Sequence, residues 1–353
     1  MTVGLLKGAL LEYIVRNLLK NCGFTNVKAD GIYTYENHGL FYVNGKGAAH
    51  DADVIMNPPV QMPFNYPTQL IFECKAYDKD ISLAIVRNAA GLRNDLNEFE
   101  IVTKESIELR KNNRRAEYAI EMRNRYNYQV GVASINEFTK PAVEFSANNK
   151  IPLLSLKWVL GSDTIRMINS ISKEDIERHS EEKITRLYRF LKDRNGDLRN
   201  DIYRDVNSFV DLEFAKIGDI FARFHHVQNW FHVGLLETGD MVFLYNRNHE
   251  QNYIFDGNTH SARFHWREQS PNLWELSIDY NREKIKYDFY LPERIYEYWK
   301  SFSFDKEKAL DMKQAFFSRI FVFNRSGNEG MPFTILNIDE HWLRRAKEDL
   351  DEN

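Results

Sequence analysis

Cysteine is nearly absent: Cys22 and Cys74 are the only two in 353 residues. That excludes a disulfide framework and a thiolate zinc site, and it fits a reducing cytoplasm. Long hydrophobic runs are also missing. No segment approaches the roughly 18 uncharged apolar residues of a membrane span, so a soluble protein with no membrane partner is expected. The N-terminal GLLKGALLEYIVRNLLK is cut into short apolar pieces by Lys7, Glu12 and Arg16, which reads as an amphipathic helix and not as a signal peptide. Excess positive charge is lacking too. A net charge of −4 argues against a non-specific polycation, while leaving room for a local basic surface. Internal repeats and low-complexity tracts are absent.

What is present is ordinary for a globular chain, with 43% hydrophobic and 28% charged residues. Aromatics are abundant at 14%, which predicts cores filled with large rings. The length suits about two domains. Spacing of Leu6, Leu10, Tyr13 (or Ile14) and Leu18 predicts a helix over 3–21, closed by Gly23. Strand material follows at 32–43, an Asn-Gly turn at 44–47, a strand at 49–56 and a second at 70–78. A helix is expected at 81–96, another over the charged stretch 104–125, a strand at 128–134, a helix over FTKPAVEFSANN and a buried strand at 151–156. This order predicts an α/β unit, a mixed sheet flanked by helices, over residues 1–160. The pattern changes near Gly161-Ser162. A charged helical connector at 163–193 leads into a β-rich region at 228–290, then a helix at 292–300, a strand at 319–324 and a helix at 339–350. Residues 161–353 therefore read as a separate β-rich α+β domain for recognition, regulation or oligomerisation.

Chemistry concentrates in two of the strands. In HDADVI, period-2 geometry puts Asp51 and Asp53 on one face and Ala52 and Val54 on the other. In LIFECKAYD it puts Glu73 and Lys75 on one face, with Phe72 and Cys74 turned to the core. If the strands are neighbours, Asp53, Glu73 and Lys75 converge at one sheet edge. Two carboxylates there make a hard oxygen site for Mg²⁺, which keeps several waters and shares itself with a phosphate. A lysine beside them can orient an attacking water or steady transition-state charge.

Asp…Glu-x-Lys in this setting resembles the PD-(D/E)xK nuclease superfamily. The ordered set KGALLEYIVRNLLKNCGF, HDADVI, IFECKAY and VGVASINEFTKPAVEFSANNKIPLLSL, spanning residues 7–157, is similar to its Mrr-like restriction endonuclease branch. The resemblance implies a restriction-endonuclease-like fold and a Mg²⁺-dependent DNA endonuclease, with Mn²⁺ able to substitute, serving restriction or anti-phage defence. It implies Asp53 and Glu73 as metal ligands, Lys75 as the catalytic lysine and Glu12 as an acid that helps hold the metal or its water. The proline of the superfamily's name is missing, Ala52 standing in its place. Asp51 competes with Asp53 for the ligand role. Asp53 is favoured because Val54-Ile55 follows it as the family's hydrophobic pair does, leaving His50 and Asp51 as orienting candidates.

Plainer readings stand beside these. Glu73 and Lys75 alone would pass for a surface pair, Glu12 for a solvated helix residue and His50 for a strand-end hydrogen-bonding group. Arg110, Lys111, Arg114, Arg115, Arg123 and Arg125 alternate with acids, so phosphate contact and a salt-bridged surface helix are equal alternatives. Arg87 and Arg93, after the ExK strand, are better placed for DNA. Trp230, Phe231, Trp266, Trp274 and Trp299 read as core of the β-rich domain, with a pocket for a modified base or small ligand as the second reading. GLFYVNGKG fails the P-loop spacing, and His225, His226 and His232 lack any zinc spacing. The alternative to an enzyme is a catalytically silent DNA-binding or scaffold subunit, which would act with a protein partner or a second copy of the chain.

Overall fold

A computed structural model of the chain describes residues 1–37, 39–61, 63–100, 125–194, 214–246, 257–267, 270–280, 282–324 and 331–351, with residues 104, 107, 108, 111, 210 and 249 between them. Helix α1 (Val3–Asn21) begins where the Leu5 amide donates to the Thr2 hydroxyl and ends at Cys22. Gly23 follows at φ +89°, and a Cβ there would lie 2.5 Å from the Asn324 carbonyl oxygen, so only glycine fits this turn without moving backbone. The helix buries Leu6, Leu10, Tyr13, Ile14 and Leu18 as their spacing predicts. It also buries two charges, Glu12 and Arg16.

Next come β1 (Thr25–Asn26), β2 (Thr34–Asn37), β3 (Leu40–Asn44), β4 (Ala49–Asp51), β5 (Val54–Asn57) and β6 (Thr68–Lys75). The single strand expected at 49–56 is in fact two. β4 joins β2 and β3 in a small antiparallel sheet, and the chain turns at Ala52-Asp53 before β5 enters the main sheet. The Ala52 amide goes with the small sheet, donating to the Phe41 carbonyl at 2.9 Å. Helix α2 (Leu83–Asn97), β7 (Asn127–Ser134), α3 (Lys140–Asn149) and β8 (Leu153–Ser155) complete a five-stranded sheet in the order β1-β5-β6-β7-β8. Within it β5 and β6 are antiparallel, while β6, β7 and β8 are parallel. The helix expected over 104–125 falls almost wholly outside the described residues.

The stretch expected as one charged helical connector is three helices, α4 (Lys157–Asn169), α5 (Lys173–Glu177) and α6 (Glu181–Lys192), with Gly161 breaking α4 at φ 78°. Helix α7 (Ala215–Gln228) then leads to β9 (Phe231–Leu236), β10 (Met241–Tyr245), β11 (Thr259–Arg267), β12 (Ser270–Tyr280) and β13 (Glu283–Tyr290). Helices α8 (Glu293–Ser301) and α9 (Lys306–Phe316), strands β14 (Arg319–Phe323) and β15 (Phe333–Ile338) and helix α10 (Glu340–Asp351) end the described chain. Seven of these strands close a barrel in the order β10-β13-β12-β11-β15-β14-β9, which leaves no open edge. The molecule is thus a mixed α/β structure whose β-rich part is a closed barrel.

Burial ties the parts together. One apolar cluster runs from α1 and the Phe72 face of β6, through α4 to α7, to Phe231, Phe243 and Tyr245 of the barrel. Phe72 and Phe243 meet at 6.4 Å between ring centroids, so the strand carrying Glu73 rests on the barrel wall. A second cluster packs the other face of the sheet under α2 and α3, and a third fills the barrel with Trp274, Tyr287 and Phe289 beneath α8 and α9. Trp266, Trp274 and Trp299 belong to this barrel core.

Candidate functional site

The register of β5 on β6 pairs Val54 with Phe72, Ile55 with Ile71 and Met56 with Leu70. One step on, Asp53 faces Glu73, at the point where β4 has left for the small sheet. Ladder pairing stops there, and the Cys74 amide donates instead to Asp53 Oδ2 at 2.8 Å. That bond aims the Asp53 carboxylate along β6. Lys75 Nζ lies 2.9 Å from Glu73 Oε2 and 3.5 Å from Asp53 Oδ2, so one ammonium bridges both acids. All three side chains are 20–22% exposed, enclosed enough for strong electrostatics yet open to a substrate. Phe72 and Cys74 are buried on the opposite face, as alternation predicts. Burial, then the charge of Asp53, raises the Glu73 pKa. Burial works against the Lys75 charge, but Glu73 and Asp53 more than offset it and its pKa is raised.

Two more carboxyls stand close by. Glu12, inward on α1 and only 5% exposed, has its pKa raised to about 7 by burial and then by the charge of Asp53. Asp51, at the end of β4, is also raised by burial, with Asp53 acting in the same direction. Lys192, the last residue of α6, reaches across to Glu12 at 2.7 Å from Oε2 and 2.9 Å from Oε1. Tyr188, one turn earlier on α6, is within electrostatic reach of Lys192, Glu12, Asp51 and Asp53. Four acids thus face two lysines; burial, with the charge of Asp53 behind it, raises the pKa of Glu12, Asp51 and Glu73, and the acids raise that of both lysines. The sequence reading does not find Lys192 or Tyr188, because nothing in EEKITRLYRFLK separates them from a surface helix. Arg16 is different: a charge one turn beyond Glu12 in an apolar helix was a readable signal that both are buried.

The remaining candidates are engaged elsewhere, although His50 is still within electrostatic reach of Glu73. His50 Nε2 is 2.7 Å from Asp95 Oδ2 on α2, and the same aspartate accepts the Gly47 amide, so His50 secures the β3–β4 turn to that helix. Arg93 donates to the Asn149 carbonyl at 2.7 Å and helps cap α3. Arg87 is exposed, its guanidinium 5.8 Å from the Phe145 ring centroid. Arg110, Arg114, Arg115 and Arg123 lie outside the described residues.

Among the described residues, no three His, Cys, Asp or Glu side chains are gathered as a preformed metal cage. The donor chemistry nonetheless fits a hard divalent ion. Asp53 and Glu73 share one cation already, the Lys75 ammonium, and burial raises the pKa of both Glu12 and Glu73, a strain on their charged forms that a bound cation would relieve. Mg²⁺ needs one or two carboxylates with water filling the rest of its shell.

No protein-family model matches the chain, and no curated protein matches it either. Among solved structures, the chain is similar to the crystal structure of a protein of unknown function, AF1548, at 15% identity and a TM-score of 0.33. The match covers 63% of this chain and 98% of that one, and a likeness this slight carries no functional assignment.

Proposed function

We propose that the chain is a metal-dependent endonuclease that hydrolyses phosphodiester bonds of DNA at the Asp53, Glu73 and Lys75 cluster. The observation that carries this reading is Lys75 Nζ bridging Glu73 and Asp53 at 2.9 and 3.5 Å. The bridge lies at the carboxyl end of β6, next to the ends of the parallel strands β7 and β8. Open α/β sheets bind their ligands at that end. The resemblance to the Mrr-like branch supports DNA as the substrate, and restriction or anti-phage defence as the setting.

Asp53 and Glu73 would hold Mg²⁺ or Mn²⁺, and Glu12, whose pKa responds to the charge of Asp53, would be the further acid that helps hold the metal or its water. When bound, the ion polarises the phosphodiester and lowers the pKa of its water ligand. Lys75 stays protonated at neutral pH, so it acts as a donor to phosphate oxygen and not as a base. Glu12, titrating at about 7, is the carboxyl of the cluster suited to take up a proton near neutrality.

A second reading, a silent DNA-binding or scaffold subunit, is favoured by one observation: Lys75 and Lys192 already neutralise Glu73 and Glu12. Plasmid DNA with Mg²⁺ or Mn²⁺ separates the two. Cleavage by the wild type, reduced on the order of 100-fold or more in Glu73→Ala and Lys75→Ala, supports the nuclease. Cleavage indifferent to both substitutions sinks the site. A wild type that shifts DNA in a gel without cutting it supports the silent subunit.

A further inference from the structure

A cavity of about 530 Å³ lies between the sheet-and-helix half and the barrel, a volume in the range of small-molecule sites. Trp158, Phe243 and Tyr290 give it aromatic walls, Asn272 a neutral polar group, and Glu137 and Glu293 two acids. Trp158 and Tyr290 stand nearly perpendicular, with centroids 5.4 Å apart, so they present two ring surfaces at a corner. This cavity is built from β8, α3, α4, β10, β12, β13 and α8, and shares no residue with the Asp53 cluster.

The charges decide what suits it. Lys140 and Lys300, which also line the cavity, are each within 4 Å of acids, Lys140 of Glu144 and Lys300 of Glu144 and Glu297. Glu293 has no ion-pair partner among the described residues; its carboxylate is met by its own amide and that of Leu153. The nearby Asp240 adds negative charge, although Arg294 pairs with it at 2.8 Å. Glu137 feels the Lys157 charge from beyond ion-pair distance, and the Ser155 hydroxyl lies near it. Burial raises both carboxyls, Glu293 to about 8. A phosphorylated ligand would face these acids with no free cation. A neutral heteroaromatic would cover the rings and leave the acids without a countercharge. A cation satisfies both, since ammonium and guanidinium groups bind over aromatic faces and pair with carboxylates.

We propose that this cavity binds a small organic cation, an ammonium or guanidinium compound, with its charge against Glu293 and Glu137 and its body on the Trp158 and Tyr290 rings. Binding is read without DNA, so the outcome is independent of any cleavage activity.

The test is calorimetric titration of the full chain with choline, whose charge does not titrate, and with adenosine as the neutral aromatic comparison. Choline should bind and adenosine should not. Choline affinity should rise about 30-fold from pH 6.5 to 9.5 as the carboxyl near 8 ionises. Glu293→Gln, which keeps the shape, should weaken choline at least tenfold and abolish the pH dependence. Glu137→Gln, a second variant on a separate element, should weaken it as well, and proton saturation-transfer from the protein to the choline N-methyl groups checks contact independently of heat. Adenosine binding as tightly as choline, choline binding unchanged in both variants, or no saturation by choline at millimolar concentration overturns the proposal.

Discussion

Lys192 Nζ sits 2.7 Å from Glu12 Oε2, joining helix α6 to helix α1 across 180 residues of chain. The pair couples the candidate site to the helices that lead to the barrel, because α6 also packs Leu187 and Leu191 into the shared core. Removing one partner leaves a buried charge uncompensated, which costs far more than a well-formed buried pair contributes. Lys192→Met should therefore destabilise the protein by on the order of 3 kcal/mol in urea unfolding. The double variant Glu12→Gln/Lys192→Met should recover most of that loss. A single variant as stable as the wild type would show that Glu12 does not depend on this lysine.

Glu12 also predicts a pH dependence. Its folded pKa of about 7 lies above the ordinary 4.5, so between those values the folded state binds the proton more tightly than the unfolded chain. Stability from this group is thus full below pH 4.5, falls as pH rises to about 7, and is flat beyond. The span is worth roughly 3 kcal/mol. Subtracting the Glu12→Gln profile from the wild-type profile isolates the effect, and parallel profiles would refute it.

Much of this site was legible in the sequence because it rests on period-2 geometry. Phe72 and Cys74 inward with Glu73 and Lys75 together follows from alternation alone. The turn at Ala52-Asp53 did not: in HDADVI the alternation runs straight through, and the capture of Ala52 by Phe41 in another sheet breaks it. Barrel closure was equally hidden. Its parallel β11–β15 pairing joins segments separated by two helices and three strands, and no local pattern encodes such a contact. Helix α9 escaped because its charges, four lysines and acids in KEKALD, mask the buried Ala309, Leu310 and Met312.

The two aspartates can now be told apart experimentally. Asp53 is fixed by the Cys74 amide and bridged by Lys75, whereas Asp51 ends β4 in the small sheet. Mg²⁺ at 100 times its dissociation constant should stabilise the wild type by about 2.7 kcal/mol. Asp53→Asn should lose this stabilisation and Asp51→Asn should keep most of it. Because Glu12 carries a pKa of about 7, the metal's apparent affinity should increase with pH through that value. Melting temperatures with and without Mg²⁺ at pH 6 and pH 8 read both effects, and an Asp51→Asn loss with Asp53→Asn intact would exchange their roles.

Lys313 on α9 supplies a prediction remote from the site. It is 2% exposed, with Nζ 4.2 Å from the Trp266 ring centroid, 4.9 Å from Trp342 and 5.6 Å from Trp274. Burial alone lowers its pKa to about 7 from the ordinary 10.5. Between these values the unfolded chain binds more protons, so stability rises as pH climbs from 7 to 10.5, and the full penalty is present below 7. The tryptophan faces offset part of that penalty through cation–π attraction. Lys313→Met keeps the apolar stem and removes the amine, and should stabilise the protein by about 2 kcal/mol at pH 6.5. The advantage should shrink toward zero by pH 10, where the lysine is neutral in the folded state and the unfolded state no longer gains much by protonation. Urea midpoints of the two proteins at pH 6.5 and pH 10 measure it. An advantage equal at both values would mean that packing, and not the buried charge, separates them.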